Sequence, residues 1–195
     1  MTTSIIGSGN VGTALARQFA RNGIDVCIAN THGPETLAAL AQELGNKVTP
    51  TTLHDALKAE VIVFAIPFRA YKDVASRLSD WTGKIVIDAM NARDVTQEEL
   101  SGQESTDLVA LALPGAKVVK TLNQLPAALL ASDPSQHGGR RVMFVASNDD
   151  DASATVVHLV EQLGFAPIAL GKIAEGGALL RFRGALVLQN LIRHT

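Results

Sequence analysis

The sequence predicts an α/β protein with a doubly wound, mostly parallel sheet and a small C-terminal α/β extension. Three observations carry that expectation. Short β-branched runs alternate with segments of helical period along most of the 195 residues, as in βαβ units, whose right-handed closure builds a parallel sheet. The stretch from Val61 to Ile66 is wholly apolar, as befits a central strand covered on both faces. A glycine turn, Gly7-Ser8-Gly9-Asn10-Val11-Gly12, stands between the first strand and the first helix. That is its place in a Rossmann-type, dinucleotide-binding sheet.

The first strand is Thr3-Ser4-Ile5-Ile6. In the turn that follows, Gly7 permits the sharp bend and Gly9 permits close approach of a pyrophosphate. Gly12 permits the helix to pack near its strand. From Asn10 the period becomes helical, with Val11, Leu15, Phe19 and Ala20 on one face, and the start of this helix offers unpaired N–H groups to an anion. Ile24 to Ala29 is the second strand. The residue ending it meets the adenine ribose, where NAD sites carry a carboxylate. Here that position is Asn30, followed by Thr31 and His32. No acid is present to repel a 2′-phosphate, and both following side chains can donate a hydrogen bond, so the expected cofactor is NADP(H). Asp25 lies at the wrong end of the strand to substitute for the missing acid.

A helix is expected from Pro34 to Leu44, ended by Gly45, then a short strand at Lys47–Thr49 and a brief helix around Leu53–Leu57. The fourth strand, Glu60 to Ile66, stops at Pro67, which cannot donate to a ladder. Ala65, Ile66 and Pro67 then leave the carboxyl end of the sheet and would wall the nicotinamide. A helix over Tyr71–Leu78 and a strand over Lys84–Ile87 lead to Asp88-Ala89-Met90-Asn91 at the same edge, which makes Asn91 a candidate contact. Residues 93–103 read as an irregular surface loop, 107–113 as helix, and 117–122 as a sixth strand. Composition shifts after Ala131. Beyond it come a loop, a strand over 141–146, a helix over 149–163, a strand over 166–170, and a mostly helical stretch from Ile173 to Leu191. The expected division is therefore a dinucleotide-binding domain over 1–123 and an extension over 124–195 that completes the acceptor pocket.

Bulk properties exclude several classes. A hydrophobic content of 47% with a net charge of −2 gives no electrostatic case for nucleic acid or an anionic membrane. The single cysteine, Cys27, fits a reducing cytoplasm, and a first strand beginning at Thr3 leaves no room for a signal peptide. One cysteine and five scattered histidines supply no metal site. Asp149-Asp150-Asp151 suits the first turn of a helix better than a cation. No side chain is assigned a catalytic role. Hydride transfer between two organic cofactors requires none, because the cofactors carry the chemistry and the protein supplies stacking and exclusion of water.

Gly7-Ser8-Gly9-Asn10-Val11-Gly12, Asn30-Thr31-His32-Gly33-Pro34 and Ala65-Ile66-Pro67 resemble the NADP oxidoreductase family that uses the deazaflavin coenzyme factor 420. Val119-Lys120-Thr121-Leu122-Asn123 and Ala174-Glu175-Gly176-Gly177 extend the resemblance to nearly the whole chain. It implies a homodimer that binds NADP(H), with Gly7, Ser8, Gly9, Asn10 and Val11 on the pyrophosphate and Thr31 and His32 on the 2′-phosphate. It also implies hydride exchange with a deazaflavin or flavin-type acceptor. His32 stands where such proteins usually have arginine. Two other readings stay open: a dehydrogenase or imine reductase of a small substrate, and an NADPH-sensing binding module. An enzyme needs an open apolar cavity beside the nicotinamide, whereas a sensor can fill it with its own side chains.

Overall fold

The structure is a computed structural model that describes residues 1–194. Six parallel strands form its centre: β1 (Thr3–Ile6), β2 (Val26–Ala29), β3 (Val48–Pro50), β4 (Val61–Phe64), β5 (Ile85–Asp88) and β6 (Lys117–Lys120). Their order is β3-β2-β1-β4-β5-β6, so the winding reverses between β1 and β4 and opens a crevice at their carboxyl ends. β1 and β4 are wholly buried, as their lack of exposed polar positions requires.

Helix α1 (Asn10–Arg21) returns the chain from β1 to β2. Leu15 and Phe19 lie on its inner face without exposure, and burial of each contributes roughly 1.5–3 kcal/mol. The second crossover is a 3₁₀ turn at Pro34–Leu37 running into α2 (Ala38–Leu44), and α3 (Leu53–Ala56) precedes β4. On the other face, α4 (Tyr71–Ala75) and α5 (Ser105–Ala112) cover β4 and β5. Phe64 and Trp81 meet there edge to face, with centroids 6.0 Å apart.

The chain after residue 123 continues the same sheet. Helix α6 (Ala127–Ala131) packs on α1, the short β7 (Ser135–Gln136) follows, and β8 (Gly139–Ser147) then runs antiparallel to β6. Helix α7 (Asp150–Gln162) leads to β9 (Ala166–Ala169), parallel to β8. One apolar core extends from Ile5 and Phe19 through Val119 to Met143, Val156 and Phe165. The carboxylate of Asp149 caps α7, accepting from the Ala152 N–H at 2.8 Å.

β8 is longer than β6, and its free edge is finished by two means. The final strand, β10 (Ile192–His194), pairs antiparallel with residues 139–141. Between β6 and β10 the buried side chain of Gln124 fills the gap. Its Oε1 accepts from the Phe144 N–H at 2.8 Å, and its Nε2 donates to the Val142 carbonyl at 3.2 Å.

The stretch 173–191 departs from the expected helix. Only a single wide turn of π type forms, at Ile173–Gly177, and irregular turns lead on to β10. A side chain at Gly176 would strike Leu170, and Arg183 and Leu188 adopt left-handed backbone angles, φ 66° and 67°. Such residues end a right-handed helix. The apolar period is real but serves another end, because Ile173 and Leu180 pack on Val142, Phe144 and Ala146. The helix expected over 71–78 also ends early, at Ala75. Among the described residues, no helix is long and apolar enough to cross a membrane.

Candidate functional site

The crevice begins at the glycine turn. Gly7 has φ 110° and fits so tightly that a β-carbon would strike the Ala65 carbonyl, while one at Gly12 would strike the Gly7 carbonyl. Gly9 differs, since a β-carbon there meets nothing within 4 Å. Gly9 is also the N-cap of α1. No side chain caps this helix, and no acidic residue sits in its first turn. Helix α7 satisfies its own N-terminus with Asp149, Asp150 and Asp151, but α1 leaves its N–H groups and partial positive charge turned to open space. That is the arrangement of an anion cradle.

The loop after β2 is tied to this cradle by Asn30. Its Nδ2 donates to Ser8 Oγ and to Thr36 Oγ1, each at 3.0 Å, and its Oδ1 accepts from the His32 N–H at 2.8 Å. Asn30 thus spends its amide on the protein, and Thr31 and His32 are exposed beside it, as are Glu35 and Thr36. The crevice has a polar end here, shaped before anything binds.

At the other end, the loops after β4 and β5 enclose a cavity of about 290 Å³, lined on one side by Val11, Ala65, Ile66 and Pro67 and on the other by Met90 and Asn91. The carboxamide of Asn91 is engaged. Its Nδ2 donates to the Asn123 carbonyl and its Oδ1 accepts from Asn123 Nδ2, both at 3.0 Å. Asn123 Nδ2 also donates to the Leu180 carbonyl at 2.7 Å, so the C-terminal segment is fastened to the cavity wall. Asn123 Oδ1 is buried without a donor among the described residues. Tyr71 stands apart from this lining, buried against Phe68 with ring centroids 4.9 Å apart.

Beneath the wall lies a buried ion pair that sequence reasoning missed. Lys120 Nζ is 3.2 Å from Asp88 Oδ2, with both side chains almost without exposure. Nζ also donates to the Met90 carbonyl, Thr106 Oγ1 donates to Asp88 Oδ2, and the Met90 N–H donates to Asp88 Oδ1. Burial pushes the Lys120 ammonium below the usual lysine range, and Asp88 pulls it back up. The pair pins residues 88–90 from below. A lysine at the polar end of an otherwise apolar strand was the available signal.

A second cavity, also of about 290 Å³, adjoins the first, and Arg93 and Val95 line both. The C-terminal segment contributes Arg181, Phe182 and Arg183, and the start of α5 contributes Glu104 and Ser105. This segment lies where the sequence predicts a helix, and none of these residues is among the candidates that the sequence offers.

Residues 2–92 match the family model described as NADP oxidoreductase coenzyme F420-dependent. A hypothetical protein of Sinorhizobium meliloti has a solved structure that superposes with a TM-score of 0.95 at 42% identity, covering 99% of this chain and 96% of that one. A proposed F420-dependent NADP reductase from an Arthrobacter species superposes at 0.71 with 27% identity, covering 89% and 86%. The mouse protein metalloreductase STEAP2 is 30% identical over 177 residues, which are 90% of this chain and 34% of that protein. The chain thus spans about a third to a half of the length of the curated relatives it matches.

Proposed function

From the match of residues 2–92 to the model of coenzyme F420-dependent NADP oxidoreductases, we propose that the chain carries hydride between NADP(H) and a deazaflavin or flavin-type acceptor. One observation carries the cofactor half of the reading: the uncapped, acid-free start of α1 at Gly9, where a β-carbon would meet only open space. Gly7, Ser8, Gly9, Asn10 and Val11 would hold the pyrophosphate, and Asn30 would present Thr31 and His32 to the 2′-phosphate. Ala65, Ile66 and Pro67 would back the nicotinamide.

When bound, the reduced nicotinamide supplies the hydride. The chain's part is to present an apolar wall and keep water out. The open cavity beside that wall favours an enzyme over a sensor whose own side chains would fill it. The same reading includes a homodimer. It is supported by the outer edge of β10, to which no strand pairs among the described residues, and by the exposed Leu188 and Leu191. The direct test is to mix NADPH with a panel of deazaflavin, flavin and ferric acceptors and follow loss of nicotinamide absorbance.

A small-substrate dehydrogenase would need a proton donor, and the one carboxylate in the cavity lining is Asp94, exposed at its mouth. Asp94→Asn and Asn91→Ala are each expected to slow turnover by less than about 100-fold, since general acid–base groups contribute roughly 10²–10⁴-fold. A larger loss at Asp94 in steady-state kinetics would favour the dehydrogenase.

His32 sets a second expectation. An arginine is a permanent cation whose fork matches phosphate oxygens, which a histidine lacks. His32→Arg should tighten NADPH by about 1–2 kcal/mol and leave NADH level. His32→Asp should turn the preference toward NADH. Dissociation constants of the three proteins for both nucleotides decide it, and NADPH and NADH responding alike to these changes would remove His32 from the phosphate site.

A further inference from the structure

We propose that the second cavity is an anion subsite, which selects acceptors whose ring system carries a phosphate on a tail. The inference rests on the reading that the first cavity receives the nicotinamide. Reduction requires the acceptor's ring to lie in that first, apolar cavity. Whatever hangs from the ring can leave past Arg93, which with Val95 lines both chambers.

The second chamber is unlike the rest of the molecule. The protein as a whole carries a net charge of −2, yet three arginines, Arg93, Arg181 and Arg183, face this cavity against the single carboxylate of Glu104. Arg181 Nη1 lies 3.3 Å from Glu104 Oε1, in a pair half open to solvent. Arg183 extends its guanidinium over the ring of Phe182 at 5.4 Å. Neither Arg183 nor Arg93 has an acidic partner within ion-pair distance among the described residues. Unrelated surface arginines would be expected to have mixed charge around them, whereas these line one concavity.

Guanidinium groups are planar forks that match the oxygens of phosphate and carboxylate. Three of them around one chamber exceed what a single carboxylate can engage and suit a dianion with three outer oxygens. The backbone agrees with this arrangement. Arg183 holds φ 66°, a conformation that costs a non-glycine residue about 1 kcal/mol or more and recurs at ligand clamps. Asn123, fastened to the Leu180 carbonyl and to Asn91, fixes the start of the arginine segment relative to the first cavity.

Riboflavin and its 5′-phosphate, FMN, share one ring system and differ by the phosphate, so together they isolate the subsite. Dissociation constants for each, read by quenching of flavin fluorescence with saturating NADP⁺ present, should show FMN binding roughly 10- to 100-fold more tightly. Raising salt from about 50 to 300 mM should weaken FMN and leave riboflavin unchanged. In R181Q/R183Q the two ligands should converge, and R93Q should narrow the gap if the double variant does not fold. Equal constants for the two flavins in the unmodified protein, no binding of either, or a preference that salt does not erode would overturn the subsite. NADPH binding is measured in the same preparations. A protein that binds no dinucleotide removes the reading and the subsite together, whereas one that binds NADPH but does not distinguish the flavins removes the subsite alone.

Discussion

A Gly9→Val protein is expected to melt at the same temperature as the parent and to have lost NADPH binding by more than about 100-fold, or about 2.7 kcal/mol. The two halves of that result follow from one measurement of space. A β-carbon at Gly9 meets no protein atom within 4 Å, so the fold has no reason to object to valine. The backbone there is φ −72° and ψ −168°, an extended conformation that valine adopts freely. The space the side chain enters is the one in which phosphate oxygens would approach the N–H groups of α1. Gly7→Val and Gly12→Val make the contrast, because both would drive a β-carbon into a backbone carbonyl and should unfold the protein instead. Thermal melts and isothermal titration of the three variants check this. Unchanged NADPH affinity in a folded Gly9→Val protein would rule out the cradle.

The second large effect is one of stability. Lys120→Met should destabilise the protein by about 3–5 kcal/mol, because it strands the Asp88 carboxylate in the interior. Asp88 would keep its bonds from Thr106 and the Met90 N–H, but its one charged partner within 4 Å among the described residues would be gone. For a chain of this size the melting temperature should fall by about 10 °C. Adding Asp88→Asn to Lys120→Met should recover a good part of the loss, since a buried amide costs far less than a buried charge. Denaturant unfolding of the single and double variants measures the coupling. A single-variant loss below about 1 kcal/mol would mean that water reaches the pair. The consequence for function is local, since Lys120 also holds the Met90 carbonyl, and Met90 lines the first cavity.

The parallel half of the fold was legible because its signals are local. Strand, glycine turn and helix follow one another within the first 21 residues, and apolar runs mark β4 and β5 without ambiguity. The cleft residues Ala65, Ile66, Pro67 and Asn91 could be gathered from sequence because strand ends share one edge of a parallel sheet, whereas Val11, expected on the pyrophosphate, lines this cavity from α1. The role of Asn30 as a tie between two loops could not, since its partners Ser8 and Thr36 are distant or unremarkable in the chain. The segment 173–191 misled for a physical reason. Its apolar residues repeat at helical spacing, but Ile173, Leu180 and Leu186 are placed by contact with β8, and left-handed turns at Arg183 and Leu188 break the path. Tertiary packing overrode period there, and the arginines of the second cavity lie in that stretch.

The side chain of Gln124 occupies a place where a sheet normally has a strand. Backbone pairs in a ladder open only when the chain on one side peels away, several residues at once. A glutamine amide can withdraw by turning about its own single bonds. The Gln124 backbone carbonyl also accepts the Leu188 N–H at 2.7 Å, so this residue joins the tail to the sheet at two points. The molecule therefore has a seam. On one side lie the six parallel strands with the glycine cradle, on the other the last fifteen or so residues with Arg181 and Arg183. Local opening along such a seam has its own free energy, below that of global unfolding. Opening there would have to break the β10 ladder on residues 139–141 and the Asn123–Leu180 bond as well, while the part that would grip the dinucleotide stays folded.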